Sequence, residues 1–335
     1  MKLLILGAGG FIGSNLSSWL LKHRDWDIYG MDLNSGNLAD CLGHPRFHFT
    51  QGNIIIDKKW VEEHIKKCDA VLPLVAIANP ALYVQNPLAV FELDFEANLD
   101  IVRHCVTYKK RIIFPSTSEV YGMNPDSPYD EETSNLVVGP IKKERWIYSC
   151  SKQMLDRVIY AYGKRDGLPF TLFRPFNWFG PRLDNVWEEG KASRVVSQFL
   201  SNILHKRDIV LVGGGAQKRC FLYIDDAIDA LVRIIENKNG NADGRIFNIG
   251  DPKSEASIAG LAEMMIDIVG VFPGFENIRS QVKITTAIGE EHYGAGYQDV
   301  QKRVPKIDNA IQYLGWKPTT GLQDALRQTI AYYLA

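Results

Sequence analysis

The sequence predicts an α/β fold, a doubly wound parallel sheet with a smaller C-terminal lobe. Three observations carry this. A short apolar strand, Lys2 to Leu6, runs into Gly7-Ala-Gly9-Gly10-Phe11-Ile12-Gly13 and then a helix to about Lys22. Strand-length apolar runs recur at Asp27–Met31, Phe47–Thr50, Asp69–Leu74 and Arg111–Phe114, the alternation that builds parallel sheets. A further strand from Thr171 ends in a Gly/Pro turn at Gly180-Pro181, where composition shifts, and the lobe starts near Pro175.

The glycine turn follows a strand and opens a helix, the context that makes a weak glycine pattern usable. Gly7, Gly10 and Gly13, with Phe11 and Ile12 in the first helical turn, let backbone N–H groups approach a pyrophosphate at a helix N-terminus. The second strand ends at Asp32, nineteen residues after Gly13. A carboxylate there accepts both ribose hydroxyls of NAD and repels the 2′-phosphate of NADP. Leu33-Asn34 follows, with no arginine to receive a phosphate. NAD is the expected cofactor, on a Rossmann-type domain.

After the third strand comes Gly52-Asn53-Ile54, and after the fourth Val75-Ala76-Ile77-Ala78. Pro87–Lys109 has apolar residues at helical spacing and reads as a core-facing helix. The fifth strand breaks at Pro115 into Ser116-Thr117-Ser118-Glu119-Val120-Tyr121-Gly122. Strand C-terminal ends hold the ligands of open α/β sheets, so Thr117, Ser118 and Glu119 are expected to face a site. A helix over Trp146–Arg165 carries Tyr148 and Lys152 on one face, where an ammonium near the phenol favours phenolate. The chain holds three Tyr-x-x-x-Lys matches, the others being Tyr160/Lys164 and Tyr313/Lys317. Tyr148 is selected because it follows Thr117 by 31 residues, on the helix expected beside that strand. Tyr160/Lys164 reads as a solvated helix face and Tyr313/Lys317 as a loop.

In the second half, Arg182, Arg194 and Arg219 flank one expected crevice, and guanidinium suits phosphate. Arg219 lies in a loop–strand–helix segment beginning at Gly213. Asn248-Ile-Gly250 closes the last strand, and helices near Ser257–Val269 and Thr320–Leu334 finish the chain. Residues 1–174 form the dinucleotide domain, with a return segment at about 219–250, and 175–335 form mainly the substrate lobe.

The 335 residues are 46% apolar and 23% charged with net charge −1. That balance gives no footprint for nucleic acid or anionic membrane, and no apolar run reaches spanning length. The first six residues resemble a signal-peptide start, which the glycine turn ends. Five scattered cysteines without C-x-x-C spacing predict reduced thiols and a cytoplasmic protein. Seven histidines show no ligand spacing, so no metal is expected.

A hydroxyl-bearing strand end followed by Tyr-x-x-x-Lys resembles the short-chain dehydrogenase/reductase family, whose glycine variant is G-x-x-G-x-x-G. Seven segments narrow the resemblance: Val75-Ala-Ile-Ala, Phe91-Glu-Leu-Asp-Phe-Glu, Phe114-Pro-Ser-Thr-Ser-Glu-Val-Tyr-Gly, Arg145-Trp-Ile-Tyr-Ser, Arg174-Pro-Phe-Asn-Trp, Gly180-Pro-Arg-Leu-Asp-Asn and Gly296-Tyr-Gln-Asp-Val. Over essentially its whole length the chain resembles extended members acting on nucleotide sugars. Among these it resembles the UDP-glucuronic acid decarboxylase half of the bifunctional polymyxin-resistance enzyme.

The resemblance implies catalytic positions at Thr117, Ser118, Glu119, Tyr148, Lys152 and Arg303. It implies UDP contacts at Asn177, Arg194 and Arg219, with Tyr83 and Tyr297 near the sugar carboxylate or uracil. Ala76 passes under the cofactor, and Asn53 stands where the family usually has an adenine-binding Asp, so that contact loses its charge. The implied reaction is NAD-dependent oxidative decarboxylation of UDP-glucuronic acid to a UDP-4-ketopentose, in a homodimer. UDP-xylose synthases, which re-reduce the ketone, are close alternatives. Apiose synthases carry Cys where Ser118 stands, and dehydratases usually carry Asp there. A silent Rossmann-type sensor is opposed by the intact Thr117/Tyr148/Lys152 set.

Overall fold

The computed structural model describes residues 1–188, 190, 192–288, 294 and 296–335. Six consecutive strands, β1 (Lys2–Leu6), β2 (Asp27–Asp32), β3 (Phe47–Gln51), β4 (Ala70–Pro73), β5 (Arg111–Pro115) and β6 (Phe170–Pro175), join a seventh, Arg245–Ile249, in one sheet. The order across it is Arg245–Ile249, β6, β5, β4, β1, β2, β3. Every pairing is parallel, with Leu3 opposite both Ile28 and Ala70. Parallel strands covered on both faces read as near-continuous apolar runs. Leu3 to Leu6 and Ile112 to Phe114 accordingly have no exposed surface. Each such Leu, Ile or Phe side chain contributes about 1.5–3 kcal/mol of burial.

One sheet face packs against Phe11–His23 and Ile224–Glu236, with Leu16, Leu20, Ile228 and Leu231 in its core. The other packs against Lys58–Lys67, Asn98–Thr107 and Trp146–Asp166, burying Val61, Ile65, Val102 and Leu155. Chain order reverses between β1 and β4, so their C-terminal ends splay helices to opposite faces and open a crevice.

Above that crevice sits the smaller set of elements. Lys218–Cys220 pairs antiparallel with Glu255–Ser257 and parallel with Lys302–Arg303. Ile209–Val212 pairs parallel with Ile284–Ala287. Helices Val195–Leu204, Ile258–Val269 and Leu322–Leu334 pack with these. Among the described residues no helix is long and apolar enough to cross a membrane.

Two expectations are corrected. The helical run from Pro87 ends at Thr107 and is interrupted by a π-helical turn, Glu92–Ala97. Such a turn re-aims side chains and is frequent at functional sites; here it carries Asp94 to full burial. Tyr313 lies in a helix, Asp308–Leu314, rather than a loop.

Candidate active site

The crevice is a cleft of about 800 Å³. Every site residue expected from the sequence borders it except Arg182. One end is made by the glycine turn and the helix it opens. Gly7 has φ +89°, a left-handed conformation that glycine adopts without strain. A Cβ on Gly13 would stand 2.4 Å from the Gly7 carbonyl oxygen, so only glycine lets the helix start that close to β1. The first N–H groups of a helix have no carbonyl within it to donate to, and Gly10, Phe11, Ile12 and Gly13 all border the cleft there. Asp32, at the end of β2, accepts from Gly9 N–H at 2.9 Å and Leu33 N–H at 2.7 Å, fixing acid and turn together. Asn53, Ile54 and Ala76 complete this end. Asn53 Oδ1 already accepts from Ile55 N–H at 2.9 Å, which occupies part of its acceptor capacity. A glycine cradle, a helix N-terminus and a carboxylate at the second strand end fit a dinucleotide.

In the middle of the cleft, Thr117 follows β5, and its side chain accepts from Glu119 N–H at 3.2 Å. Tyr148 hydrogen-bonds Thr117 and stacks on Tyr83, with ring centroids 4.6 Å apart. The protein's own groups around Tyr148 do not by themselves lower its phenol. Burial pushes the Tyr148 phenol well up, and the Asp94 and Glu119 carboxylates push the same way against the Thr117 hydrogen bond. Lys152 Nζ donates to the Pro115 carbonyl at 3.0 Å. Burial lowers the Lys152 ammonium, while Asp94 and Asp156 support it. Tyr160 is half exposed, as expected of a solvated face.

At the far end, Glu119 lies between two guanidiniums. Arg145 and Arg303 each form an ion pair with it, one to each carboxylate oxygen. Burial pushes this carboxyl up, but Arg145 and Arg303 overcome it and hold it down at about 2. Ser118 is buried beside them. Arg303 and Arg219 are register partners on adjacent strands, and Arg219 pairs with Asp299 at 2.7 Å. Arg194 caps Val195–Leu204 and pairs with Asp184 at 3.1 Å. Asn177 Nδ2 donates to the Cys220 carbonyl at 2.8 Å, and Tyr297 borders the same space. Arg182 is turned away: it pairs with Asp40 at 2.9 Å and donates to Ser14 O at 3.2 Å.

Sequence reasoning missed Arg145, Asp94 and Asp299. Arg145 is 2% exposed, donates to the Gln298 carbonyl at 2.8 Å, and keeps Nε buried without a partner among the described residues. Its signal was the spacing of three to Tyr148, one helical turn. Among the described residues no cluster suited to a metal occurs.

The arrangement was compared with known proteins. A family model described as NAD dependent epimerase/dehydratase matches residues 3–250. The PbgP3 protein from Burkholderia pseudomallei is 52% identical, with TM-score 0.90 over 99% of this chain and 96% of that one. UDP-glucuronic acid 4-epimerase from Bacillus cereus, solved with UDP-glucuronic acid and NAD, is 24% identical with TM-score 0.84, covering 100% and 99%. The dTDP-glucose 4,6-dehydratase from Bacillus anthracis, solved with NAD, is 21% identical with TM-score 0.79, covering 100% and 96%. The last two establish likeness of fold.

Proposed function

The chain belongs to the NAD-dependent epimerase/dehydratase family, and from that premise we propose that it oxidises and decarboxylates UDP-glucuronic acid, releasing CO₂ and a UDP-4-ketopentose. NAD is its cofactor, and the residues that fit it are the glycine turn, Asp32, Asn53, Ile54 and Ala76. The observation carrying the finer reading is the Arg145–Glu119–Arg303 group beside Tyr148 and Thr117. Among the described residues, five cations border the cleft (Arg145, Lys152, Arg194, Arg219, Arg303) against three acids (Asp32, Glu119, Asp299). That excess suits a ligand with a diphosphate and a further carboxylate.

Arg219 and Arg194 hold the diphosphate, and Arg145 and Arg303 orient the uronate carboxylate. NAD⁺, when bound, supplies the acceptor for the C4 hydride. Tyr148, as the phenolate that Lys152 and the charge of a bound NAD⁺ would favour, receives the 4-hydroxyl proton as C4 is oxidised and so becomes the phenol. The resulting ketone is β to the carboxylate, so the C5–C6 bond can break with its electron pair moving onto the C4 oxygen. Tyr148 and Thr117 donate hydrogen bonds to that oxyanion, and a proton from water adds at C5 to complete the ketopentose, offsetting the one that Tyr148 took and returns to solvent. Glu119 has a further effect. By occupying both guanidiniums it keeps them from binding the uronate too well, since charge leaves the carboxylate as CO₂ forms and ground-state binding would oppose that.

The test is incubation with UDP-glucuronic acid and excess NAD⁺, following NADH, CO₂ and products by mass. One NADH per CO₂ is the expected result. UDP-xylose without NADH would assign a xylose synthase, and UDP-galacturonic acid without CO₂ would refute decarboxylation.

A further inference from the structure

Arg182, expected from the sequence to face the crevice, is turned onto the cofactor side of the molecule, and the mechanism above gives it no task. The turn Gly180-Pro181-Arg182 is fastened there from two directions. From the helix Phe11–His23, Asn15 Nδ2 donates to the Pro181 carbonyl at 3.1 Å, and the Ser14 carbonyl accepts from Arg182 Nη1 at 3.2 Å. From the segment after β2, Asn37 Nδ2 donates to the Arg182 carbonyl at 3.2 Å, and Asp40 pairs with Arg182 Nη2 at 2.9 Å. Ser18 Oγ, on the same helix as Ser14, donates to the Asp40 carboxylate and fixes it in turn. Arg182 has φ +69°, a left-handed conformation that a non-glycine residue keeps where its surroundings over-determine it.

Each end of this turn leads to a ligand site. On the cofactor side, Asp32 begins the segment that carries Asn37 and Asp40. Asp32 accepts from Gly9 N–H at 2.9 Å and Asn37 N–H donates to the Gly9 carbonyl at 3.5 Å, so the segment lies on the glycine turn. Asp32 and Leu33 both border the cleft, and a dinucleotide whose ribose engages Asp32 bears directly on the segment. On the substrate side, Leu183 and Asp184 follow Arg182. The Leu183 carbonyl accepts from Arg194 Nη1 at 3.0 Å. The Asp184 carboxylate accepts from Ser193 N–H at 3.0 Å, Arg194 N–H at 3.2 Å, Arg194 Nη1 at 3.1 Å and Ser197 Oγ. Arg194 is the cation assigned to the diphosphate. A continuous series of contacts therefore runs from the ribose-binding acid through Arg182 and Asp184 to Arg194. The same segment has a second fastening, from the C-terminal helix Leu322–Leu334, where Tyr333 Oη donates to the Asp184 carbonyl at 3.0 Å.

We propose that Arg182 is a positioning residue that couples the cofactor site to the diphosphate site. Cofactor at Asp32 holds Asn37 and Asp40 in place, these hold the turn, and the turn holds Asp184 and Arg194 ready for the diphosphate. The first ligand lowers the ordering cost of the second, so each tightens the other, and by linkage the factor is the same in both directions. The sugar nucleotide then binds best when its oxidant is already seated. This inference rests on the reading of Arg194 as a diphosphate ligand and is independent of decarboxylation.

The probe is UDP, which carries the diphosphate without the sugar. Calorimetry measures its Kd with and without saturating NAD⁺, and the Kd of NAD⁺ with and without saturating UDP. The parent should show tightening of about 5–10-fold in both titrations, the low end of typical coupling between sites. Arg182→Gln and Asp40→Asn should each bring that factor close to unity, and the double variant should lose no more than either alone, because both remove one contact. Tyr333→Phe is the structural control. It loosens the same segment from the far side, so it should weaken UDP equally with and without NAD⁺ and keep the parental factor. A parent without coupling, a parental factor in Arg182→Gln or Asp40→Asn, or a further loss in the double variant would overturn the proposal. So would a Tyr333→Phe factor that falls as far as that of Arg182→Gln, since Arg182 would then be one structural support among several. A parent that fails to bind UDP at all would refute the diphosphate reading itself and the coupling with it, an outcome distinct from UDP binding without coupling.

Discussion

Replacing Glu119 by Gln should make the protein less stable, bind uronate more tightly and decarboxylate it more slowly. The carboxyl is held down from 4.5 to about 2, which at ~1.4 kcal/mol per unit is about 3 kcal/mol of folding stability. The folded value is depressed, so this contribution is complete above pH 4.5 and is lost as pH falls toward 2. An independent figure agrees: removing one member of a buried ion pair costs about 3–5 kcal/mol. At neutral pH the ligand-free variant should melt roughly 5–10 °C lower. A uronate carboxylate would then be the remaining anion between Arg145 and Arg303. Affinity for UDP-glucuronic acid should rise about 10–100-fold, or about 1.4–2.7 kcal/mol. UDP-xylose, which lacks the carboxylate, should gain nothing. CO₂ release should slow while KM falls, the pattern of added ground-state binding. Calorimetry with both ligands and ¹⁴CO₂ capture read all three effects. Weaker uronate binding, or an equal gain for UDP-xylose, would show that Glu119 does not compete with substrate for the two arginines.

Tyr148→Phe should bind UDP-sugar and form no NADH, a loss of at least ~10²-fold, measured by absorbance at the nicotinamide band; near-parental turnover would direct attention to another acid–base group. Asp32 should favour NAD⁺ over NADP⁺ by a few kcal/mol, since a phosphate dianion would meet a carboxylate; comparable kcat/KM with the two cofactors would remove that assignment. Leu88, Met154 and Tyr160, all substantially exposed on the helices Pro87–Phe91 and Trp146–Asp166, should be covered by a twofold-related copy. Sedimentation is expected to give a homodimer at micromolar concentration, and a monomer there would refute it.

The parts legible in the sequence were those encoded over short stretches. The glycine turn, Asp32 and the hydroxyl-rich end of β5 announce themselves because each needs particular residues within a few positions. Tyr148 was separable from Tyr160 and Tyr313 by its distance from Thr117 along the chain. What stayed hidden is set by partners far apart. Arg145 sits in the polar stretch Lys142-Lys143-Glu144-Arg145, which reads as surface until Glu119 buries it. Arg182 reads as a crevice cation until Asp40 draws it aside. Lys152 donates to a backbone carbonyl, an acceptor that no residue pattern reveals. Desolvation of Tyr148 belongs to the same class, because it depends on how completely the helix and β5 close around the ring. The π-helical turn under Asp94 left no periodic signal, since the apolar spacing on either side of it remains helical.

The two halves of the proposed chemistry come from different parts of the fold. Thr117, Tyr148 and Lys152 all stand on the parallel sheet and its helices. Glu119 and Arg145 stand at the edge of that unit, and Arg303 reaches them from the small sheet above. Arg303 is the register partner of Arg219 on a parallel strand pair, and neighbouring strands lie about 4.8 Å apart. The pairing therefore sets a fixed offset between the cation assigned to the diphosphate and the one assigned to the uronate. Both belong to one ligand, so this offset measures its two anionic ends against each other. Because side chains alternate faces along a strand, a slip of one residue in Lys302–Arg303 would carry Arg303 to the opposite face. Glu119 would lose one of its two counter-charges, the uronate would lose a cation, and Tyr148 with Thr117 would stay as they are. Such a chain would keep the machinery for oxidation and lose the means of handling a carboxylate.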